Sequence, residues 1–195
     1  EKFMKQVVGG LRKDFQVGSE DKNDIMFVGQ RVRWVDKGKP NGHIQVDQEK
    51  KVEELGEVSV DASLRDNLLC TPDYHKQFRS VLGQINWLQS RTQFQSCYLF
   101  SRSASACAGP TYGDVRTLNK LVRKIRAEVV KLRFWRLSGH CRIVGYPDAA
   151  YRNNADKSSQ RGQVIFLAEP RKEGKVNPRG SLIDYESQKI KRTVL

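Results

Sequence analysis

Two features of this chain have residue types and spacing that could do chemistry: a one-signed helical stripe in the middle and a lone carboxylate after an apolar strand. From Thr111 to Arg136, eight basic residues stand against only Asp114 and Glu128. Among them Arg116, Lys120, Arg123, Lys124 and Arg126 follow one another at helical intervals. At 100° per residue, Arg116, Lys120, Arg123 and Lys124 gather opposite Leu118, Leu121, Val122, Ile125 and Val129, so one side packs and the other presents cations. A helix that needs only to be soluble usually mixes signs as Glu and Lys pairs four apart. A stripe of one sign attracts polyanions, which makes phosphate contact the first function implied. The plainer alternative, a solvated helix face, stays open on this segment alone. Phe134 and Trp135, just beyond, could stack on bases or close a core.

The carboxylate is Asp148, which follows the apolar run Cys141 to Tyr146 and precedes Ala149, Ala150 and Tyr151. An acid at a strand end can hold a divalent ion, because the sheet fixes its backbone while its oxygens reach a cleft. By spacing alone, Asp148 equally reads as a solvated turn acid after Pro147. Two-metal hydrolysis also needs several carboxylates converging on ions about 4 Å apart. Other chemistries lack their signatures. There is no Gly-x-x-x-x-Gly-Lys loop, no Gly-x-Gly-x-x-Gly, no Gly-x-Ser-x-Gly elbow and no His-Glu-x-x-His helix. Cys70, Cys97, Cys107 and Cys141 contain no Cys-x-x-Cys pair, and the three histidines are scattered, so reduced thiols are expected rather than a zinc site or disulfides.

These side chains must be positioned by a globular scaffold. The 195 residues suffice for one large domain or two small ones. The hydrophobic fraction is 38% and the aromatic fraction 9%, polar for a globular chain yet too aromatic for a disordered tail. The formal charge of +13 is unevenly placed: residues 1 to 66 hold 12 basic and 13 acidic side chains, and residues 67 to 195 hold 23 and 9. No 18 apolar residues run together and the N-terminus has no apolar signal core, so the cytoplasm or nucleus is expected and a membrane partner is not.

Periodicity supplies the elements. Residues 1 to 17 mix apolar and basic positions and look helical up to Phe15, with Gly9-Gly10 as a weak point. Ile25 to Val35 reads as a strand, Asp36 to Gly42 as a turn, and His43 to Val46 as the return strand of a hairpin. Asp47 offers an N-cap to a short helix beginning at Gln48. Residues 58 to 71 read as a connector. Helices are expected over 73 to 91, where Phe78, Val81, Leu82, Ile85 and Leu88 recur at three and four, and over 93 to 106. Strand character returns at 131 to 137, 141 to 146, 163 to 168 and 181 to 185, which as consecutive strands suggests an antiparallel meander. His43 and His75 read as ordinary surface histidines. The class is α+β.

Taken in order, these segments resemble the C-terminal half of copia-type retrotransposon Pol polyproteins, from the end of the reverse transcriptase into ribonuclease H. Phe27 to Val32 (FVGQRV) resembles the family's Phe-Leu-Gly-Ile-Glu-Ile strand, and Gly42 to Lys50 (GHIQVDQEK) its Gly-Ile-x-Leu-Ser-Gln-Glu-Lys hairpin and helix start. Phe78 to Leu88 (FRSVLGQINWL) is similar to Tyr-Arg-Ser-Leu-Val-Gly-Ser-Leu-Leu-Tyr-Leu, and residues 114 to 126 match the family's Ala-Leu-Lys-Arg-Val-Leu-Arg-Tyr-Leu helix in character. Val144 to Tyr151 (VGYPDAAY) resembles Gly-Tyr-Ser-Asp-Ala-Asp-Trp, and Gly162 to Leu167 occupies the place of Gly-Tyr-Val-Phe-Phe-Leu.

This resemblance implies three parts: residues 1–57 as the end of the palm with a thumb-like region, 58–130 as linker and helical connection, and 131–195 as the incomplete start of a ribonuclease H-like sheet. It implies that Asp148 is the first catalytic carboxylate and a ligand to one of two Mg²⁺ ions, and that Arg116, Lys120, Arg123, Lys124 and Arg126 grip an RNA/DNA template-primer. The parent would copy RNA into DNA and cut RNA in hybrids, with the rest of the polyprotein as partner. Departures from the pattern are Ala150, where the family commonly has a second Asp, and Gln160-Arg161 before Gly162. The Tyr-x-Asp-Asp element is expected before Glu1 and the second acid beyond Leu195, so these residues by themselves are expected neither to polymerise nor to cleave. The alternative is a decayed or domesticated element that binds nucleic acid without catalysis.

Overall fold

Helix-period apolar patterning in the middle of the chain and period-two patterning on both sides of it divide the molecule into a helical unit and two sheets. The computed structural model describes residues 2–15, 23–137, 139–152, 154, 156–170 and 179–190. In chain order they form α1 (Lys2–Asp14), β1 (Asp24–Phe27), β2 (Gln30–Val35), β3 (His43–Asp47), α2 (Glu49–Glu53), α3 (Pro72–Gln89), α4 (Cys97–Ser105), α5 (Tyr112–Ala127), β4 (Lys131–Trp135), β5 (Arg142–Ala150), β6 (Ser159–Ala168) and β7 (Gly180–Ile190). The class is α+β, with two antiparallel sheets ordered β1-β2-β3-β4 and β5-β6-β7. Among the described residues no helix is long and apolar enough to cross a membrane.

The core belongs to the helices. Val52 and Leu55 around α2, Phe78, Val81, Leu82, Ile85 and Leu88 of α3, and Val115, Leu118, Leu121, Val122 and Ile125 of α5 are buried in one cluster. Those of α3, with Leu118, Leu121, Val122 and Ile125 of α5, are the positions that the three-and-four spacing marked, and each fully buried one contributes about 1.5–3 kcal/mol through apolar burial. α5 starts sharply because Thr111 and Asp114 form a reciprocal capping box: Asp114 N donates to Thr111 Oγ1 (3.2 Å) and Thr111 N donates to Asp114 Oδ2 (2.8 Å). The helix after Asp47 is shorter than the pattern suggested, one turn and a half ending at Glu53. Asp47 caps it only at length, its Oδ1 accepting from Glu49 N (3.4 Å) while Oδ2 accepts from Arg33 (3.0 Å) and Gln45 (3.1 Å).

Two differences from the periodicity are physical. Residues 25 to 35 are two strands, because Val28 (φ 47°) and Gly29 (φ 71°) both take left-handed backbone and close a two-residue turn. Two positive φ values in succession give the twist that antiparallel strands require, and Gly29 supplies the second without strain. A valine in the first position hides the turn in an apolar run. The second difference concerns β4, which pairs with β3 from Asp47↔Lys131 to His43↔Trp135 rather than opening the later meander. The whole helical unit is therefore inserted between two paired strands, and the three-stranded meander begins only at β5.

In the first sheet, the register aligns Ile25, Val32, Val46 and Leu132 in one row and Trp34, Ile44 and Phe134 in the next, all on one face. None of these seven is fully buried. The opposite face is polar, with Arg31 paired to Asp24 and Arg33 to Asp47.

The second sheet meets the first where Trp135 N of β4 donates to Ser181 Oγ of β7 (3.0 Å), and one seam with the helices centres on Gln89. Tyr185 of β7 donates its hydroxyl to the Gln89 carbonyl (2.7 Å), and the Cys97 thiol donates to Gln89 Oε1 (2.9 Å). Both groups are desolvated, which pushes Cys97 up to about 11 and raises Tyr185 well above the ordinary phenol range. A group whose folded pKa is raised favours the protonated chain, so its stabilisation is complete below the unfolded value near 9 and is lost as pH rises through 11. We predict that stability to urea is flat from about pH 7 to 8.5 and falls steadily between about 9 and 11. Replacing both groups, as Cys97→Ser with Tyr185→Phe, should flatten that fall, and an unchanged slope in the double variant would remove the seam as its source.

Candidate nucleic-acid interface

α5 presents its cations because its other side is anchored. Tyr112, Val115, Leu118, Leu121, Val122 and Ile125 are buried, and Thr117, Lys120, Arg123, Lys124 and Arg126 are exposed. The connector over residues 57–66 runs along this helix and is stitched to it by three side chains. Asn119 accepts from Val58 N (2.9 Å) and donates to Val58 O (2.7 Å), a buried amide that pairs both backbone groups of one residue. Arg116 pairs with Asp66 and donates to the carbonyls of Asp61 (3.0 Å) and Leu64 (2.8 Å). Arg123 pairs with Glu57.

The five expected phosphate-binding cations therefore divide. Arg116 is tied to three oxygens of the connector, and Arg123 shares its charge with one carboxylate while its side chain stays 57% exposed. Lys120, Lys124 and Arg126 are exposed and take part in no ion pair among the described residues. Lys120 and Lys124 lie one turn apart on one part of the helix surface, and Arg126 stands at the other margin of the exposed arc, beyond Arg123. Asp66 offsets the field near the start of the helix and Glu57 offsets it at Arg123, while Lys120, Lys124 and Arg126 keep their charge unpaired among the described residues. The C-terminal end of the helix also carries the negative pole of the helix dipole, which the cations offset.

Asp148 stands elsewhere, on exposed β5, opposite Gly162 of β6 and, through it, Ser187 of β7. Its side of the sheet also carries Gln160, whose amide donates to Ser101 of α4 (3.3 Å) and Ser187 (2.8 Å), so it is the side turned toward the helices. No carboxylate shares its cross-strand row. Glu186 is one residue out of step and lies on the opposite face. Among the described residues no group of three or more His, Cys, Asp or Glu side chains is arranged to hold a metal ion. A two-magnesium centre is therefore not assembled by these residues, which supply one carboxylate where several are needed.

Both His43 and His75 have structural work that their sequence context concealed. His43 packs its ring against Trp135, with centroids 4.7 Å apart. His75 Nε2 lies 2.8 Å from the Cys107 carbonyl and so carries its proton there, tying the start of α3 to the loop after α4. The functional residue that sequence reasoning missed is Asn119. Its signal was available: it lies four after Val115 and three before Val122, a polar side chain on the apolar stripe, which implies a buried partner.

No protein-family model, curated protein or solved structure matches this chain.

Because Asn119→Ala leaves both polar groups of Val58 buried without partners, it should cost about 2–4 kcal/mol in urea unfolding. It should also increase proteolytic nicking within residues 57–66. A loss below about 0.5 kcal/mol would mean that the connector holds to α5 without the amide.

Proposed function

We propose that this chain is a nucleic-acid-binding portion of a copia-type Pol polyprotein, and that Lys120, Lys124 and Arg126 of α5 carry its contact with the phosphate backbone. The single observation behind this reading is the exposed stripe on α5: cations of one sign, unpaired among the described residues, on a helix whose opposite side is fixed in the core. Such a surface binds through counterion release, tracks the backbone and reads little sequence. The order of family-like motifs supports the more specific assignment, as does an antiparallel β5-β6-β7 meander whose first strand bears Asp148. RNA/DNA template-primer is the expected ligand in that assignment.

The charge asymmetry of the sequence fits this reading. The surplus over the neutral first third lies in the part that contains α5 and the second sheet. Arg123 adds to the grip because its exposed pair with Glu57 is the kind worth only about 0–1 kcal/mol, which a phosphate can displace. Arg116 acts instead as a positioning residue for the connector.

Charge reversal separates these roles. Lys120→Glu with Lys124→Glu should weaken binding to a fluorescent RNA/DNA hybrid at least tenfold in about 50 mM salt. It should also reduce the slope of log K against log salt by about 2, since each phosphate that a lysine neutralises adds close to 0.9 to that slope. Arg116→Met should leave the slope unchanged while lowering stability. Equal affinity of the reversed variant at low salt would remove α5 as the contact surface.

The non-catalytic alternative is favoured by two observations at Asp148: Ala150 stands where the family commonly has a second acid, and the cross-strand row of Asp148 holds no carboxylate. The two readings part in a longer polypeptide that adds the family's next acid-bearing helix after Leu195. If Asp148 is catalytic there, magnesium-dependent cleavage of an RNA/DNA hybrid should fall at least a hundredfold in Asp148→Ala; equal cleavage would exclude that role, and no cleavage in either protein would favour the binding-only reading.

A further inference from the structure

Arg179, just before β7, ties the second sheet to the turn between β2 and β3. It donates from Nη1 to Pro40 O (2.7 Å) and from Nη2 to Asn41 Oδ1 (2.8 Å), and its guanidinium lies over the Trp135 ring, 5.4 Å from the centroid. Residues 39 to 42 form a tight turn in which Gly42 N donates to Lys39 O (2.9 Å). Pro40 and Gly42 take its second and fourth places, where each is favoured. The glycine is required for space: a Cβ on residue 42 would stand 2.7 Å from Asp36 O and 3.0 Å from Lys39 O. The turn therefore fixes an Asn-Gly link, and Asn41 is the only asparagine of the sequence that glycine follows.

An Asn-Gly link is chemically labile, because glycine puts no side chain in the way of its own nitrogen. That nitrogen attacks Asn41 Cγ and closes a five-membered succinimide, while the Cγ to Nδ2 bond breaks and ammonia leaves with the amide proton. Water then adds across one of the two ring C to N bonds. The product is aspartate or, with the main chain rerouted through Cγ, isoaspartate. Asn41 is exposed, so water enters and ammonia departs freely. In the closed turn the attack is blocked: Gly42 N–H points at Lys39 O, Arg179 holds the side-chain oxygen, and His43 Nδ1 lies 3.0 Å from Asn41 O. Reaction therefore proceeds from an opened turn. The opening is local, since residues 36 to 41 are all exposed and none belongs to the buried core.

We propose that Asn41 is a site of spontaneous deamidation guarded by Arg179, and that its conversion alters the junction between the two sheets. Two charge-assisted bonds must be released before the turn opens, so the guanidinium sets the open fraction and with it the rate. Conversion to aspartate places a carboxylate on Arg179 and replaces a neutral acceptor with an ion pair. Conversion to isoaspartate adds one carbon to the main chain of a turn whose next residue already lacks room for a Cβ. The two oxygens that Arg179 spans then move apart, and the clamp loosens. This inference is independent of the nucleic-acid reading, since it involves neither α5 nor Asp148.

Peptide mapping by mass spectrometry tests it, on the full chain held in mildly alkaline buffer at physiological temperature. Asn41 should show the mass gain of an amide-to-acid conversion before any other asparagine does, in both aspartyl and isoaspartyl forms. The parent chain should convert at least tenfold more slowly than a synthetic peptide of residues 37–45, and Arg179→Met should bring the rate to within about threefold of that peptide. Hydrogen-exchange protection of α3 and α5, unchanged in the variant, shows that the body is folded. If Arg179→Met fails that control, Arg179→Lys takes its place with the same expectation, because an ammonium keeps the charge but cannot fork to both oxygens. Faster conversion at another asparagine would overturn the assignment of the site, as would an Arg179 variant whose Asn41 stays intact after the peptide has fully converted. A parent rate equal to that of the peptide, or one that the Arg179 substitution leaves unchanged, would overturn the guard.

Discussion

Everything in this molecule turns on where a helical unit leaves and rejoins a sheet. Asp47 and Lys131 are paired neighbours on β3 and β4, yet more than eighty residues of helix and connector lie between them in sequence. Chain must exit and re-enter at one point, and the peptide groups there are taken from water without a strand to pair with. Buried amide side chains meet that demand. Gln93 accepts from Val130 N (3.3 Å) and faces Val130 O (3.5 Å), standing in for a strand just where β4 begins. Gln48, at the exit, is oriented so that its oxygen accepts from Trp87 Nε1 (3.0 Å) and its nitrogen donates to Leu88 O (3.2 Å) and Thr92 Oγ1 (3.0 Å). Asn119 repeats the device on Val58. Each amide carries both a donor and an acceptor, so Asn119 and Gln93 each face the N–H and the carbonyl of a single residue, which a carboxylate cannot do. Leaving such groups unpaired would cost about 1–3 kcal/mol each, a large share of a domain's net stability.

This constraint also sets the electrostatics of α5. Once Asn119 fixes the connector along the helix, the acids of that connector lie against the helix's cations. Glu57 and Asp66 are then matched to Arg123 and Arg116, and the stripe that the sequence shows as uniform becomes graded. Arg116 cannot be released cheaply, because two carbonyls as well as a carboxylate hold it. Arg123 can. The same packing that could have consumed the whole stripe thus leaves Lys120, Lys124 and Arg126 unpaired among the described residues.

The parts of the fold that were legible in the sequence are those governed by one local rule. Phe78, Val81, Leu82, Ile85 and Leu88 had to share a helix face and had to be buried, and they are. The turn over residues 36 to 42 was visible in its Gly, Pro and Asn. By contrast, nothing local to residues 131 to 135 says that they pair with residues 43 to 47; alternation marks a strand but not its neighbour, and the choice is made by the edge that the inserted helices leave beside β3. The Val28-Gly29 turn was hidden because valine seldom takes a positive φ. At the candidate interface, the charges and their periodicity were legible, but which of them were already paired was not, since their partners lie fifty or more residues upstream.

Asp148 shows how one position can satisfy two different demands. β5 is an edge strand of nine residues with Ile143 72% and Tyr146 62% exposed, the sort of strand that invites pairing with another chain. Pro147 removes a backbone donor and Asp148 adds a charge, and both are devices by which edge strands resist such pairing. A structural reason for the acid therefore exists without any metal. A metal-ligating role makes a stricter demand: the edge needs only a charge, whereas an ion needs a carboxylate with further oxygens converging on it. The residues around Asp148, Gly162 and Ser187 across the sheet, meet the first demand and contribute a single acid toward the second. Catalysis at this strand would thus depend on acids brought to its open edge, which is also the edge that Asp148 and Pro147 keep clear.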